Sequence, residues 1–523
     1  MKKIILILTL MIFILTSCSK YLDINTNPNS ATSAAPSTVL PLAIVNTASF
    51  ISNLNNYGSQ TVGYAANAGG YGGYGSSWTY NYLPSDGEGY WDLGYITLEN
   101  LYNIASVTKG SDANAYYNAV AKIMQAYIYQ NLVDQFNDIP YSESLQGAGN
   151  FQPTYDKATV IYPNLALQLD SAIAEINNAK YPNAIPAGSD PLFSGNMVSW
   201  KQFANTLKLR LIVRASSVVT FANKTFTSDG FLTDDAIVNP GYTLANSTSG
   251  SQVSPSWNAW VTNYAGSRVG NAWIPASYVF GYYDGHKLVD PARGSAIYYN
   301  FPSTPYNQLG VMPPNNTLTS PATAGAWYSG GGSGTSLGNA IGVMKGPNMG
   351  EPLFLLAESD FLQAEAALRG IISGSDATLF NKGIVASFTY LYKSPANSVM
   401  AGMNPAADAA TYLSANSTNY LTNYSLAATT AQKTEAIITQ KYIALNFIHG
   451  QEAWNEYRRT GYPVSSSTLI NNQYGAIASI QSQATRADHL PARLPYPASE
   501  ANYNAANVPQ GISVYSSTIF WAH

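Results

Sequence analysis

The sequence has 523 residues with a formal net charge of −4, and charged side chains make up only 10% of them. Such sparse charge argues against a nucleic-acid partner, because neutralising phosphates requires dense lysine and arginine. A hydrophobic content of 46% excludes wholesale disorder, and the length predicts one large domain or two to three ordinary ones.

The chain begins with the pattern of a bacterial lipoprotein signal. Two lysines precede an apolar run of about twelve residues, which ends in LTSC at 15–18. The run is shorter than the roughly 20 residues that span a membrane. We therefore predict that residues 1–17 are a signal peptide and that Cys18, the only cysteine, carries the lipid. Its thiol is then consumed, which leaves no cysteine for a disulfide, a metal or a nucleophile.

Composition changes abruptly along the first hundred residues. Residues 18–37 are rich in Asn, Ser and Pro and predict an extended tether, and a helix is predicted over 38–56. Residues 57–91 then combine glycines with many tyrosines and tryptophans. GYGGYG at 70–75 matches the GxGxxG spelling of dinucleotide sites, but the sequence predicts no strand of Val or Ile before it and no helix after it. A glycine-rich loop that holds exposed rings is the better interpretation.

Three amphipathic helices are predicted next. In each of them, apolar residues at helical spacing line one face. The first helix is predicted over 113–136, and the second ends near Asn178. The third follows Ser199, a candidate N-cap. The stripes are Tyr116, Val120, Ile123 and Tyr127; Leu165, Leu169, Ile173 and Ile176; and Trp200, Phe203, Leu207 and Leu211. Four basic residues beside the third stripe, within 201–214, predict a solvated or ion-paired face.

Residues 221–350 interrupt this helical pattern. They are rich in Gly, Pro, Asn and aromatics, which predicts loops and short strands. Helices return at Pro352, suited to the first helical position, with Gly370 as the stop. A last helical region is predicted over 434–459, where Gly450 kinks or divides it.

Patterns for nucleophilic and metal chemistry are weak. GTSLG at 334–338 has the GxSxG spelling of an esterase, but it lies in a Gly/Ser-rich run with no apolar strand before it. No two of the four histidines have zinc-ligand spacing, and His449 on an apolar helix predicts a structural role. We therefore predict no catalytic residue, no metal and no cofactor.

Paired carboxylates have structural explanations for the most part. Glu452 and Glu456 lie one helical turn apart with two arginines close behind, which favours a salt-bridged helix face. A glycosidase needs two carboxylates beside a cleft, and the aromatic stretch keeps that alternative open with Asp86, Glu88 and Asp92.

The aromatic surplus is the remaining functional signal. Rings on helical stripes predict core, whereas rings in the loop-rich regions 57–91 and 257–327 predict exposed apolar faces. Such faces suit the C–H patches of sugars or the side chains of peptides, at about 1 kcal/mol per contact. The candidate ligand-binding residues are Tyr71, Tyr74, Trp78, Tyr80, Trp260, Tyr264, Trp273 and Trp327.

Four segments, spread in order from signal to tail, carry a family resemblance. They are the lipobox with YLDINTNP at 21–28, FLQAEAALRG at 361–370, QKYIALNFIHGQEAWNEYRRTGYP at 440–463, and RLPYP at 493–497 with Glu500 and Asn504. Together they resemble the SusD/RagB outer-membrane lipoproteins of Bacteroidetes.

The resemblance implies a mostly α fold built on tetratricopeptide-like helix pairs, with a loop-rich region that carries short strands. It places a SusD-like domain at 38–523, with a helical body about 95–220 and 351–470 and a ligand face about 57–91 and 221–350. It further implies a non-enzymatic, lipid-anchored protein at the cell surface. Such proteins cover a SusC-like TonB-dependent outer-membrane transporter and deliver oligosaccharides or peptides to it.

Two other classes stay open from the residues alone. They are a lipid-anchored hydrolase, either glycosidase or esterase, and a structural surface protein. The sequence also leaves open which leaflet of the outer membrane carries the protein. Residues 19–23 contain one acid, whereas surface-exported members of the family often carry an acidic run there.

Overall fold

The computed structural model of the protein describes residues 34–245, 248–312, 327–328 and 341–523. Within these ranges the chain is mostly helical, as the sequence predicts, and it adds two small two-stranded sheets. The predicted signal peptide, Cys18 and the GTSLG segment lie outside the described residues.

The described chain contains fifteen α-helices and four strands. The helices are α1 (Pro36–Thr61), α2 (Ser76–Thr79), α3 (Glu88–Thr108), α4 (Ala115–Phe136), α5 (Ala158–Asn178), α6 (Met197–Ala215), α7 (Pro255–Trp260), α8 (Ser277–Phe280), α9 (Pro291–Ile297), α10 (Leu356–Leu368), α11 (Asp376–Tyr392), α12 (Pro405–Ala415), α13 (Thr430–Ala444), α14 (Gly450–Thr460) and α15 (Ala498–Tyr503). The strands are β1 (Ala65–Asn67), β2 (Ala236–Val238), β3 (Trp273–Pro275) and β4 (Glu351–Phe354).

The long helices pack in chain order, each against its neighbour. Helix α1 packs on α3, α3 on α4, α4 on α5 and α5 on α6, and the series continues through α10, α11 and α12. Helix α14 returns to pack on α1. Successive contact between neighbours is the arrangement of helix-pair repeat proteins.

Helix α4 lies at the centre of this stack. Its predicted stripe is correct for Val120, Ile123 and Tyr127, whereas Tyr116 is only half-buried. Burial nonetheless extends around the whole helix and includes the polar residue Asp134. An enclosed helix needs partners for its polar groups, and the partners of Asp134 are described below.

Helix α1 has the length and hydropathy of a membrane span, and it is the one helix of the described chain that does. Half of its most apolar window is buried within the protein, and it packs against α3, α4 and α14. We therefore assign α1 to the protein core.

Two predicted helix starts are wrong. Helix α6 is capped by Asn196, whose Oδ1 accepts from the N–H groups of Val198 and Ser199, so Ser199 is the third helical residue and not the cap. Pro352 lies in β4 opposite Ile237, and α10 begins four residues later. A two-stranded sheet leaves one edge of each strand unpaired, so a proline is tolerated there.

The predicted helix breaks at glycine are confirmed. Gly370 follows α10 with φ +69°, the left-handed geometry typical of helix ends. Gly450 begins α14 and thereby divides the predicted helix. A Cβ on Gly450 would lie 2.3 Å from the backbone nitrogen of Ser59, and one on Gly58 would lie 2.0 Å from that of Gln451. The two glycines therefore let α1 and α14 approach each other closely.

Many of the sparse charges are buried in one ionic network between the helices. Arg210 and Arg214 of α6 contact Glu358 of α10 and Asp134 of α4 at 3.2 and 2.6 Å. Lys441 of α13 contacts Glu452 and Glu456 of α14 at 3.0 and 3.2 Å. The ion pairing predicted for both faces is therefore correct, but these side chains are at most 4% exposed, so neither face is solvated.

The network keeps two of its carboxylates, Glu452 and Glu456, ionised despite burial. Burial raises the pKa of Glu456, but the adjacent Arg459, Lys441 and Arg214 outweigh it and hold that pKa at about 2. Buried ion pairs of this kind fix one packing geometry, because a charge displaced from its partners is strongly destabilising.

Candidate ligand-binding surface

Strands β1 and β3 hold the glycine-rich aromatic loop in place. They pair antiparallel, with Ala65 opposite Pro275 and Asn67 opposite Trp273. The ladder continues one step further, where the Ala68 N–H donates to the Ala272 carbonyl at 2.8 Å. The loop therefore leaves the sheet from a fixed edge, next to the Trp273 side chain.

Tyr74 fastens the loop back onto that edge. Its single hydroxyl proton is shared between the Ala68 carbonyl at 3.2 Å and the Ala272 carbonyl at 3.0 Å, next to the ends of β1 and β3. Burial, with the nearby Tyr71 hydroxyl, raises the pKa of Tyr74 to about 12. The hydroxyl therefore stays protonated at neutral pH and remains a donor.

Glycines give the loop the turns that this return requires. Gly70, Gly73 and Gly75 have φ values of +81°, +74° and +53°, which side-chain-bearing residues adopt only at a cost. A Cβ at Gly73 or Gly75 would meet no atom within 4 Å. The demand for glycine there is conformational and not steric.

The result is a compact cluster of half-buried rings. Trp78 stacks on Tyr74 with ring centroids 4.8 Å apart and an interplanar angle of 8°. Trp273 meets the same tyrosine edge-on at 5.2 Å and 81°. We name Tyr74, Trp78 and Trp273 the aromatic cluster. Three of the eight predicted ligand-binding residues are thus brought together from two separate parts of the chain. Tyr71 lies on the same loop, where its hydroxyl raises the pKa of Tyr74, but it makes no ring contact with the cluster among the described residues.

A second loop is tied to the same strand edge. The Asn67 side chain donates to the Val311 carbonyl at 2.8 Å and accepts from the Gly310 N–H at 2.8 Å. The next residue, Met312, is 47% exposed. Sequence reasoning missed this flexible apolar side chain, because only the tertiary bonds of Asn67 bring it to this edge.

Two predicted site residues lie in the core. Tyr80 is fully buried, and its hydroxyl accepts from the Ser479 N–H at 3.0 Å. Trp260 is 3% exposed, packs on Phe447 with centroids 4.4 Å apart, and donates its indole N–H to Asn56. Neither ring has a free face, so the expectation of exposed rings does not hold for these two.

The last two predicted residues stand apart from the aromatic cluster. Tyr264 is 44% exposed, and its backbone N–H is held by Asn258. Trp327 is half-buried beside Tyr299, with centroids 6.0 Å apart. Among the described residues, neither makes a ring contact with the aromatic cluster.

Asp86 and His449, two polar groups singled out from the sequence, have structural partners. Asp86 accepts from the Leu83 N–H and the Ser76 hydroxyl, both at 2.7 Å, and so fixes the turn before α3. Burial and Glu88 raise the pKa of Asp92. His449 is 1% exposed, and its Nε2 lies 2.8 Å from the Pro352 carbonyl, consistent with the predicted structural role. Across the described ranges, no group of three or more His, Cys, Asp or Glu residues has the arrangement of a metal site.

The fold is that of a known class of mostly helical proteins. A Bacteroidetes SusD-like structure superposes with a TM-score of 0.70 at 20% identity, covering 94% of this chain and all of that one. A chitin-binding protein gives 0.68 at 21% identity with the same coverage. A chitin-binding SusD homologue from Flavobacterium johnsoniae gives 0.63 at 22% identity, covering 91% of this chain and 98% of that one.

The sequence itself assigns the family. A family model described as SusD-like, "Susd and RagB outer membrane lipoprotein", matches residues 31–518. The chain therefore belongs to the SusD-like family and is an outer-membrane lipoprotein. No curated protein matches it.

Proposed function

We propose that this lipoprotein captures oligosaccharides at the aromatic cluster and delivers them, without chemical change, to a SusC-like TonB-dependent transporter. The observation that carries the proposal is the stacked pair of Tyr74 and Trp78 with Trp273 at its edge. The rings are anchored to a sheet edge and a folded loop, so little ordering is needed on binding.

The chemistry of the cluster favours a neutral saccharide over a peptide. Flat aromatic faces complement the apolar C–H faces of sugar rings. One nearby charge, Asp86, is engaged in its own turn. Two solved relatives are described as chitin-binding, which makes N-acetylchitohexaose the first glycan to test. A peptide ligand is the alternative outcome.

The direct test is calorimetric titration of the soluble body, residues 34–523, with N-acetylchitohexaose, cellohexaose, maltohexaose and xylohexaose. Trp78→Ala and Trp273→Ala should each weaken the affinity for the bound glycan about fivefold, the loss of one ring contact of about 1 kcal/mol. Tyr181→Ala is the control, because Tyr181 is 84% exposed and lies on neither strand nor loop of the cluster. Unchanged affinity in both tryptophan variants would refute the site.

Product analysis of the same mixtures tests the non-enzymatic part of the proposal. We expect every hexasaccharide to be recovered intact after prolonged incubation. Shorter products that disappear on substitution of a single carboxylate or serine would instead establish a hydrolase.

The delivery step needs the lipidated protein. Tagged full-length protein should be isolated from its native membrane in mild detergent at low and high salt. Stoichiometric recovery of a TonB-dependent barrel, confirmed by reciprocal isolation through that barrel, would support delivery. Isolation of the lipoprotein alone under both conditions would count against it.

A further inference from the structure

A second concave site lies on the helical body, away from the aromatic cluster. Helices α10 and α11 and the loop 229–233 enclose a groove of about 870 Å³. Its apolar walls include Leu356, Leu379 and Val385, and Phe231 adds an aromatic ring to the lining. None of its lining residues belongs to the aromatic cluster.

Asp360 lines this groove without a hydrogen-bond partner. The residue is only 8% exposed, and no described residue donates to its carboxylate. Two neighbouring carboxylates are fully engaged by comparison: Asp229 pairs with Lys201 at 2.6 Å, and Asp235 pairs with Lys393 at 2.7 Å. Buried polar groups are normally satisfied, so an unsatisfied carboxylate facing a groove points to a ligand that supplies donors.

A donor stands close to this acceptor. Lys382 of α11 lines the same groove, is exposed, and forms no salt bridge within the described chain. Burial and the negative charge of Asp235 raise the pKa of the Asp360 carboxyl, and the positive charge of Lys382 lowers it. The net result is a pKa of about 7. Asn381 adds a further polar group at the rim.

The pairing of one acceptor with one cationic donor selects the ligand chemistry. An amine would be attracted by Asp360 and repelled by Lys382, and an acid would experience the reverse. A hydroxyl group both donates and accepts, and neighbouring hydroxyls of a sugar present both functions at once. The apolar walls then receive the C–H face of the ring.

We propose that this groove is a second saccharide subsite, in which neighbouring hydroxyls of a neutral sugar donate to Asp360 and accept from Lys382. That the ligand is a saccharide rests on the proposed function, whereas its binding in this groove is new. A second subsite on one chain would hold a long glycan at two points and raise the effective concentration of the glycan at the aromatic cluster.

The test removes the aromatic cluster first. The Trp78→Ala/Trp273→Ala double variant of residues 34–523 is titrated with the same four hexasaccharides at pH 8 and pH 6. We expect residual millimolar binding of at least one of them at pH 8, and about tenfold weaker binding at pH 6. With a pKa of about 7, the Asp360 carboxyl is about tenfold less ionised at pH 6 than at pH 8. Adding Asp360→Asn should abolish the residual binding and its pH dependence.

Matched variants separate the groove from general effects. Asp234→Asn makes the same charge change at a carboxylate that is 66% exposed and pairs with Lys393 outside the groove, and should leave the residual binding intact. Lys382→Met alters an exposed residue and should weaken residual binding without unfolding the chain. Residual binding that is absent, or that is equal with and without the Asp360→Asn change, would overturn the proposal, as would binding of diglycine in place of every hexasaccharide.

The two proposals fail in different ways. If the tryptophan variants bind as the unaltered chain does, the aromatic site is wrong, and the Asp360→Asn comparison still decides the groove. If the double variant loses all binding, the groove is wrong and the aromatic site stands.

Discussion

Arg214 Nη1 lies 2.6 Å from Asp134 Oδ2, and at most 1% of either side chain is exposed. The same guanidinium reaches Glu456 at 3.2 Å through Nη2. One cation of α6 therefore connects α4 with α14, two helices that are far apart in the chain. The helix stack is fixed at its centre by charge as well as by apolar packing.

Arg214→Met should destabilise the fold by about 3–5 kcal/mol, because it leaves buried carboxylates without their cation. Lys122→Met is the matched control, since Lys122 pairs with Glu175 at 2.8 Å where the side chains are 30% and 21% exposed. A pair this accessible to solvent contributes less than a buried one, on the order of 1 kcal/mol. Urea unfolding of both variants measures the difference, and equal losses would contradict a central role for the network.

Tyr74→Phe should loosen the aromatic loop while keeping the ring that stacks on Trp78. The variant loses the hydroxyl that bonds to the Ala68 and Ala272 carbonyls, a loss of about 1 kcal/mol. Hydrogen exchange should become faster at the amides of residues 68–75, and glycan affinity should fall. Tyr181→Phe, at an 84% exposed position, should change neither. Unaltered exchange in the Tyr74→Phe variant would show that ring packing alone holds the loop.

Two adjacent glycines offer a test of backbone conformation without steric change. A Cβ at either Gly72 or Gly73 would meet no atom within 4 Å, but only Gly73 has positive φ, at +74°. Gly73→Ala should therefore strain the loop by about 1–2 kcal/mol and weaken glycan binding, whereas Gly72→Ala should not. Calorimetric affinities of the two variants decide the point, and matching values would remove backbone strain as an explanation.

Local patterns predicted most of the helical body. The stripe of Leu165, Leu169, Ile173 and Ile176 predicts a helix ending near Asn178, and α5 ends at that residue. Gly370 marks a real break because its positive φ suits glycine itself. Apolar stripes and glycine stops of this kind follow from neighbours in sequence, so a sequence is sufficient to find them. Gly450 is required instead by the close approach of α1, which is a tertiary property.

Burial of polar and aromatic groups was not predictable in the same way. Arg210 and Arg214 look like a basic helix face until α4, α10 and α14 supply carboxylates from distant segments. Trp260 resembles Trp78 in its loop-rich surroundings, yet Phe447 and Asn56 enclose it. Asp360 directly precedes the FLQAEAALRG segment and gives no signal of its own, because its lack of a partner is a tertiary property.

The raised pKa of Asp360 also predicts how stability depends on pH. Its folded value is about 7 against an ordinary 3.8, so between these values the folded chain holds a proton that the unfolded chain has released. The contribution of Asp360 to stability therefore falls as pH rises from about 4 to about 7 and is constant above. Asp360→Asn removes this effect and should stabilise the protein by up to about 4 kcal/mol at pH 7.5, since one pKa unit corresponds to about 1.4 kcal/mol, with little change at pH 4.

Asp229→Asn is the opposite case and serves as the control. Although burial raises the pKa of Asp229, its bonds to Lys201 and Thr227 outweigh that effect and lower it, so this variant should gain no stability at pH 7.5. Urea unfolding at both pH values measures these effects. A gain for Asp360→Asn that is the same at pH 4 would show that its carboxyl is not the titrating group.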